Sequence, residues 1–308
     1  MLRCVALHEG RVDNRDLDEA ILRTMVYADL FDYPLTDVEI HRYLIGCPVS
    51  ASAVEDRLTH LDGLQKRVGF ISPYWFLNGR EQLVQLRQER TAFAKKLWPA
   101  ARRYGRQIAA IPFVRMVALT GALAMNNATS LHDDIDYLII TQNGRVWLAR
   151  GLIALLVHVV QRRGVTLCPN YILSERNLQI GEPSLFTAHE LVQMVPLYGS
   201  SLYRLLLNTN AWVADFLPNA SPGMPDCAAP GLMADLGRRS SEALLGGRLG
   251  DAVERWERER KIPRLRLEAV RQGGNGAIFT PDRCKGHMAD HAAVVSRQYT
   301  ALLTEQGL

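Results

Sequence analysis

Cysteine is scarce in this chain. There are five in 308 residues (Cys4, Cys47, Cys168, Cys227 and Cys284), an odd number, widely spread and without a CxxC pair. That distribution speaks against a disulfide framework and points to a reducing, cytoplasmic setting. Long apolar runs are also missing. The most apolar stretch, Leu148 to Val160, is interrupted by Arg150 and His158 and stopped by Gln161-Arg162-Arg163, well short of a membrane span. Arg3, His8, Glu9 and Arg11 deny the N-terminus the apolar core of a secretory leader, so no membrane partner is expected. A strong charge of one sign is absent too. With 36 basic against 32 acidic residues the net charge is +4, too mild to demand nucleic acid as a partner, although a local patch remains open. No Gly-Lys-Ser/Thr loop and no GxGxxG occurs, which argues against a P-loop or a dinucleotide site. His189-Glu190 lacks the second histidine of a zincin, and Ser200-Ser201 lacks the setting of a nucleophile elbow.

What is present is ordinary in bulk and specific in detail. Apolar residues at 48% and charged residues at 22% suit a globular chain, and the length accommodates two or three domains. Ile21, Leu22, Met25, Val26 and Leu30 recur at helical spacing, and Asp32-Tyr33-Pro34 breaks that helix. Thr36-Asp37-Val38-Glu39 and Ser52-Ala53-Val54-Glu55 have the pattern of capping boxes that open two further helices, the second continuing through Val54, Leu58 and Leu61. After Gly69 an aromatic, β-branched stretch with a central proline, Phe70 to Gly79, predicts two short strands and a turn. Three helices and a β-hairpin resemble a winged helix. Duplex binding is disfavoured, because the helix that would enter the groove carries Glu55, Asp56 and Asp62 against Arg57 alone. A packing module or a homo-oligomerisation platform is the alternative, with Lys66, Arg67 and Arg80 left as possible phosphate contacts from the wing. A charged helix from Gly79 to Gly105 then links this module to the next, and Arg102, Arg103 and Arg106 at its end are expected on the surface.

Strands and helices next alternate. Phe113 to Thr120 suits a strand, Gly121 turns the chain into a short helix (Ala122 to Asn126), and Ile135 to Thr141 suits a second strand ending at Asn143-Gly144. A helix from Arg145 to Arg163 stops at Gly164, and Val165 to Ser174 forms a third strand whose Pro169 calls for an edge position or a bulge. Helices follow at Thr187 to Val195 and Ser200 to Phe216, then a proline-rich loop from Pro218 to Gly231, then a helical pattern from Leu232 to Leu308 broken at Arg271 to Pro281. The resulting expectation is an α/β (α+β) chain: a module and linker helix over residues 1–95, a small mixed-sheet domain over 96–183, and a C-terminal helical region over 184–308.

The chemistry concentrates in Leu119-Thr120-Gly121-Ala122, followed by Asp134-Ile135-Asp136. Residues i and i+2 of a strand share a face, so the two carboxylates project together while Ile135 faces the core. Two like charges that close repel unless a cation sits between them, and magnesium takes one or two carboxylates with the rest of its shell from water and phosphates. The glycine allows close backbone approach, and free N–H groups of a following helix suit a triphosphate. This order of strand, glycine turn, helix and Asp-apolar-Asp resembles the polymerase-β-like nucleotidyltransferase superfamily over the central third of the chain.

The resemblance implies a magnesium-dependent transfer of a nucleoside monophosphate from an NTP to an acceptor the sequence does not identify. It makes Asp134 and Asp136 catalytic metal ligands and Thr120, Gly121 and Ala122 the phosphate cradle. A pair of metals roughly 3.5–4 Å apart would serve an in-line displacement. The chain departs from the family in two places. Ala122 stands where a serine usually holds phosphate. Asn170 stands where the third strand usually supplies another acid; an amide ligates a cation but is no base at neutral pH. Glu175 is out of phase with Asn170 unless a bulge intervenes, and Asp133 is expected to face away. Arg150 is a candidate for the triphosphate or base, against a solvent-facing role; Asn126 and Asn127 for the nucleotide, against helix capping; Lys285, with His287, for phosphate or acceptor, against surface packing. Cys284, His287 and His291 lack the paired spacing of a structural zinc site. The departures leave two rival expectations: a catalytically silent nucleotide-binding or interaction protein, and a winged-helix DNA-bound regulator.

Overall fold

Helix starts follow local chemistry through the first third of the chain in the computed structural model, which describes residues 13–60, 63–181, 183–221, 231–272, 276–286 and 291–308. Asp13 accepts the Arg15 N–H at 2.9 Å and opens α1 (Asn14–Asp29). Thr36 and Glu39 complete the expected capping box of α2 (Asp37–Arg42). The helix α3 (Ala51–His60) starts earlier than its sequence suggests. Ser50 rather than Ser52 accepts the capping N–H, from Ala53 at 3.2 Å, so Glu55 closes no box. Val54 and Leu58 point into the core as expected, whereas Leu61 and Asp62 lie outside the described residues. Strands β1 (Val68–Ile71) and β2 (Tyr74–Leu77) pair as an antiparallel hairpin, completing the three-helix-then-hairpin order. The linker helix α4 (Gln82–Ala109) runs through Pro99, and Arg102, Arg103 and Arg106 are exposed on it.

A mixed six-stranded sheet organises the rest. β3 (Val114–Leu119), β4 (Ile135–Thr141) and β5 (Leu167–Ser174) fall where expected, separated by the single-turn helix α5 (Gly121–Ala124) and by α6 (Val146–Gln161). Beyond residue 183 come α7 (Leu185–Gln193), β6 (Val195–Tyr198) and α8 (Ser200–Thr209), with a 3-10 turn at Ala211–Asp215. They are followed by α9 (Leu232–Leu245), α10 (Arg248–Arg271), β7 (Ile278–Thr280), β8 (Arg283–Lys285) and α11 (His291–Glu305). The strand order is β6-β3-β4-β5-β8-β7; only β4 and β5 run parallel. Half the sheet thus comes from a region with a helical pattern. β6 to β8 have only three or four residues each, too short for a period-two signal, and residues 195–285 return to flank the three central strands. Among the described residues no helix is long and apolar enough to cross a membrane.

Strand alternation divides the core in two. Val117, Leu119, Ile135, Tyr137 and Ile139 join one cluster with α4, α6 and α10; Met116, Ala118, Leu138 and Ile140 join another with α1, α7 and α8. Pro169 is accommodated by a bulge, not an edge. Asp136 pairs with Cys168 and Leu138 with Tyr171, so two residues of β5 oppose Tyr137 alone, and β8 covers the outer side of β5. The C-terminal helices are tied down by charge. Glu254 of α10 accepts the N–H groups of Trp147 (3.1 Å) and Leu148 (2.7 Å), capping α6 from another element. Glu242 of α9 takes the Phe113 N–H at 2.7 Å and pairs with Arg115 at 2.7 Å. Cys47 is buried and disulfide-bonded, a bond that the scattered spacing of the cysteines did not announce; Cys168 and Cys284 are free.

Candidate active site

Gly121 sits at the end of β3 with φ +67°. It needs to be glycine for two reasons. That backbone conformation is costly for a residue with a side chain, and a Cβ there would fall 2.5 Å from Oδ2 of Asp136. The adjoining Thr120 donates its N–H to the Asp136 carbonyl at 3.0 Å, which fixes the turn against the start of β4. Asp136 stands on the Leu138 and Ile140 side of the sheet, facing α7. Asp134 lies just before the strand, exposed, and its charge reaches Asp136. Burial above all, with help from Asp134 and Asp133, pushes the Asp136 carboxyl up to about 6, while a hydrogen bond from the Cys168 thiol pulls the other way. The same burial and the neighbouring carboxylate push the Cys168 thiol up to about 12.

A cavity of about 240 Å³ opens beside this pair, lined by Thr120, Gly121, Asp136, Asn170 and Lys285 among others. Four expected site residues therefore converge with Asp136. Asn170 stands in the bulge and donates its side-chain N–H to the Thr120 hydroxyl at 3.3 Å. Lys285 arrives on β8, opposite Tyr171. Glu190 of α7 also lines the cavity and was not anticipated. Burial and Asp136 push its carboxyl up to about 7, against the pull of Lys285. The signal was present: an acid within the apolar helix segment Ala188-His189-Glu190-Leu191-Val192, where the sheet-facing side admits no unpaired charge without a purpose.

Other expected residues are elsewhere. Arg150 projects from α6 on the opposite face of the sheet, pairing with Glu257 at 3.7 Å and lining a separate cavity with Cys284 and Phe279. The sheet itself keeps it from Asp136. Asn126 has φ +54° and accepts the Trp98 indole N–H at 2.7 Å, so it terminates the α5 turn and does not line the carboxylate cavity. Asp133 is absorbed by the turn it closes: against its burial, the Thr129 N–H and the hydroxyls of Thr129 (2.8 Å) and Ser130 (2.9 Å) donate to it and hold its carboxyl below the usual range. Glu175 accepts the Asn143 N–H at 3.4 Å at the far end of β5. Ala122 is exposed beside the turn, and with only four residues α5 contributes too little dipole for the phosphate argument made from sequence; what remains is the close approach at Gly121. His287 and Asp62 lie outside the described residues. Of the basic residues on the hairpin side, Arg80 is paired with Asp29 (2.9 Å) and Asp32 (2.7 Å), Arg67 donates to the Gln306 carbonyl, and Lys66 is exposed; Arg57 of α3 is paired with Asp18.

Among the described residues no group of three or more His, Cys, Asp or Glu side chains is placed to hold a metal ion. Glu190 therefore does not extend the aspartate pair into a three-carboxylate centre. Asp136 and the Asn170 amide line the cavity, whereas Asp134 stands exposed just before β4 and does not; their oxygens are hard donors of the kind magnesium takes together with water and phosphate oxygens. Compared with models of known families, with characterised proteins and with solved structures, the chain matches none.

Proposed function

We propose that this protein is a magnesium-dependent nucleotidyltransferase that moves a nucleoside monophosphate from an NTP to an acceptor. The observation that carries the proposal is the contact between Gly121 and Asp136: a strand-end glycine with no room for a side chain, pressed against a carboxylate raised to about 6 in a cavity that also holds Lys285. Burial and the nearby Asp134 and Asp133 oppose a charge there, and a cation with a polyphosphate would relieve it. Asp134 and Asp136 would hold the ion, with Asn170 as a neutral donor. Magnesium, when bound, would neutralise the carboxylates and draw charge from the α-phosphate. Thr120 and Gly121 line the cavity in which the phosphates would lie, and Lys285 supplies positive charge there. In the transfer, an acceptor hydroxyl or amine forms a bond to the α-phosphorus, the bond from that phosphorus to the α–β bridging oxygen breaks, pyrophosphate leaves, and the acceptor's proton passes to water.

The test is incubation of the protein with α-labelled NTPs, magnesium and cell extract. Stable transfer of label by the wild type, and none by Asp136→Asn, is expected; no transfer with any of the four NTPs would refute it. Asn170, in place of a third acid, favours a second reading: a silent relative that binds nucleotide without transferring it. That protein would bind NTP and move no label. The DNA-bound regulator gains no support, since Arg57 and Arg80 are already paired and the exposed residues of α3 include Glu55 and Asp56.

A further inference from the structure

A second cavity, of about 180 Å³, adjoins the carboxylate cavity and shares Gly121, Phe186 and Glu190 with it. Its other wall belongs to the N-terminal helices. Tyr27, Phe31, Tyr33 and Tyr43 line it, with His189 of α7. Tyr27 and His189 are stacked, ring centroids 4.1 Å apart and 18° from parallel, and Tyr43 lies 5.7 Å from the same imidazole. His189 donates its Nδ1–H to the Leu185 carbonyl at 2.9 Å, and burial pushes its imidazole down to about 4, so the stack is uncharged at neutral pH. An apolar cavity of about 150 Å³ admits benzene; this one, at about 180 Å³, is of one-ring size.

Most polar groups on its wall are already engaged. The single Tyr33 hydroxyl proton is shared between Glu39 (2.9 Å) and the Met125 carbonyl (2.8 Å), Thr24 donates to the Ala20 carbonyl (2.7 Å), and the Asn127 amide donates to the Phe31 carbonyl (3.3 Å). A nucleobase buried there would leave several edge groups unsatisfied, at a cost of about 1–3 kcal/mol each. A ring with one polar substituent leaves none if that substituent reaches Glu190, the carboxylate common to both cavities.

We propose that this aromatic cavity is the acceptor site, and that the acceptor is a ring-bearing molecule of the phenol, aniline or benzyl alcohol class whose single hydroxyl or amine is directed past Glu190 toward the Gly121–Asp136 contact. The N-terminal helices are then a wall of the substrate site. The acceptor role rests on the transferase reading; the ring site itself does not.

The two cavities carry separate reporters, Met125 in the aromatic one and Met194 in the carboxylate one. Wild-type protein labelled with methyl-13C methionine, its two signals assigned with Met125→Leu and Met194→Leu, is titrated with p-cresol, glycerol, adenosine and magnesium–ATP. The expected result is a saturable shift of Met125 with p-cresol, none with glycerol or adenosine, and a shift of Met194 with magnesium–ATP. Phe31→Ala should weaken p-cresol about five-fold, the loss of one aromatic contact. No saturable Met125 shift with p-cresol, an equal shift with glycerol, or an equal or larger one with adenosine overturns the proposal. If p-cresol moves Met125 while magnesium–ATP moves neither methyl, the transferase reading fails, and the acceptor assignment with it, while the ring site stands.

Discussion

The carboxylate of Asp136 lies in the space that a side chain at position 121 would need, with Oδ2 only 2.5 Å from a Cβ built on Gly121. Strand β4 and the turn after β3 are thus fitted to one another at a point where a buried carboxyl faces a cavity. This contact separates two effects that glycine substitutions usually confound. Gly144 has nearly the same backbone, φ +69°, but open space around its Cα. Alanine at either position should cost about 1–2 kcal/mol through the left-handed conformation, seen as a lower melting temperature. Only Gly121→Ala should also displace Asp136 and abolish the stabilisation by magnesium–NTP; equal nucleotide responses in the two variants would contradict this.

The uncharged forms of Asp136 and Glu190 are the ones the fold prefers, since their carboxyls rise to about 6 and 7 from 3.8 and 4.5. Their contribution to stability is full below pH 4 and is lost as pH rises through 6 and 7. Asp136→Asn and Glu190→Gln remove that loss. Without nucleotide, each variant should gain on the wild type between pH 4 and pH 8 by about 1–3 kcal/mol, measured by urea unfolding. A difference independent of pH would show that neither carboxyl is perturbed.

Lys285 and Arg150 looked alike in the sequence as partners for phosphate, and the sheet sets them apart. Lys285 lines the carboxylate cavity, whereas Arg150 pairs with Glu257 across the sheet. Lys285→Ala should weaken magnesium–NTP about ten-fold, the loss of one charge-assisted contact, and Arg150→Ala should leave it unchanged. Equilibrium dialysis of labelled nucleotide reads both.

Glu254 holds α10 to the start of α6 through two backbone N–H groups. Glu254→Ala orphans both and should cost about 1–3 kcal/mol, with Glu254→Gln recovering part of it, as the amide oxygen still accepts. Unchanged thermal stability in Glu254→Ala would mean that α10 contributes nothing to this cap.

The legible parts of the sequence were those governed by local physics. The capping box at Thr36–Glu39, the strands at 114–119 and 135–141 and the Gly121 turn all follow from neighbours in the chain, and Pro169 narrowed its strand to an edge or a bulge, of which the structure has the bulge. What stayed hidden depends on residues far apart. β6, β7 and β8 are too short to carry a pattern, and they complete the sheet only because the central strands leave edges to pair. Arg150 could be placed only once α6 was seen to cover the face away from Asp136. Glu190 looked like half of a failed zincin motif; its meaning comes from the strand it faces. The aromatic cavity joins residues 24–43 to residues 186–193, and no local spacing links those segments.

The most direct measurement is calorimetric titration of ATP and GTP into the wild type and into the Asp134→Ala/Asp136→Ala double variant, each with magnesium and again with EDTA. Saturable binding of at least one nucleotide to the wild type with magnesium, lost with EDTA and lost in the folded double variant, is expected if Asp134 and Asp136 hold the ion. Binding that survives both the chelator and the loss of the two aspartates would contradict it.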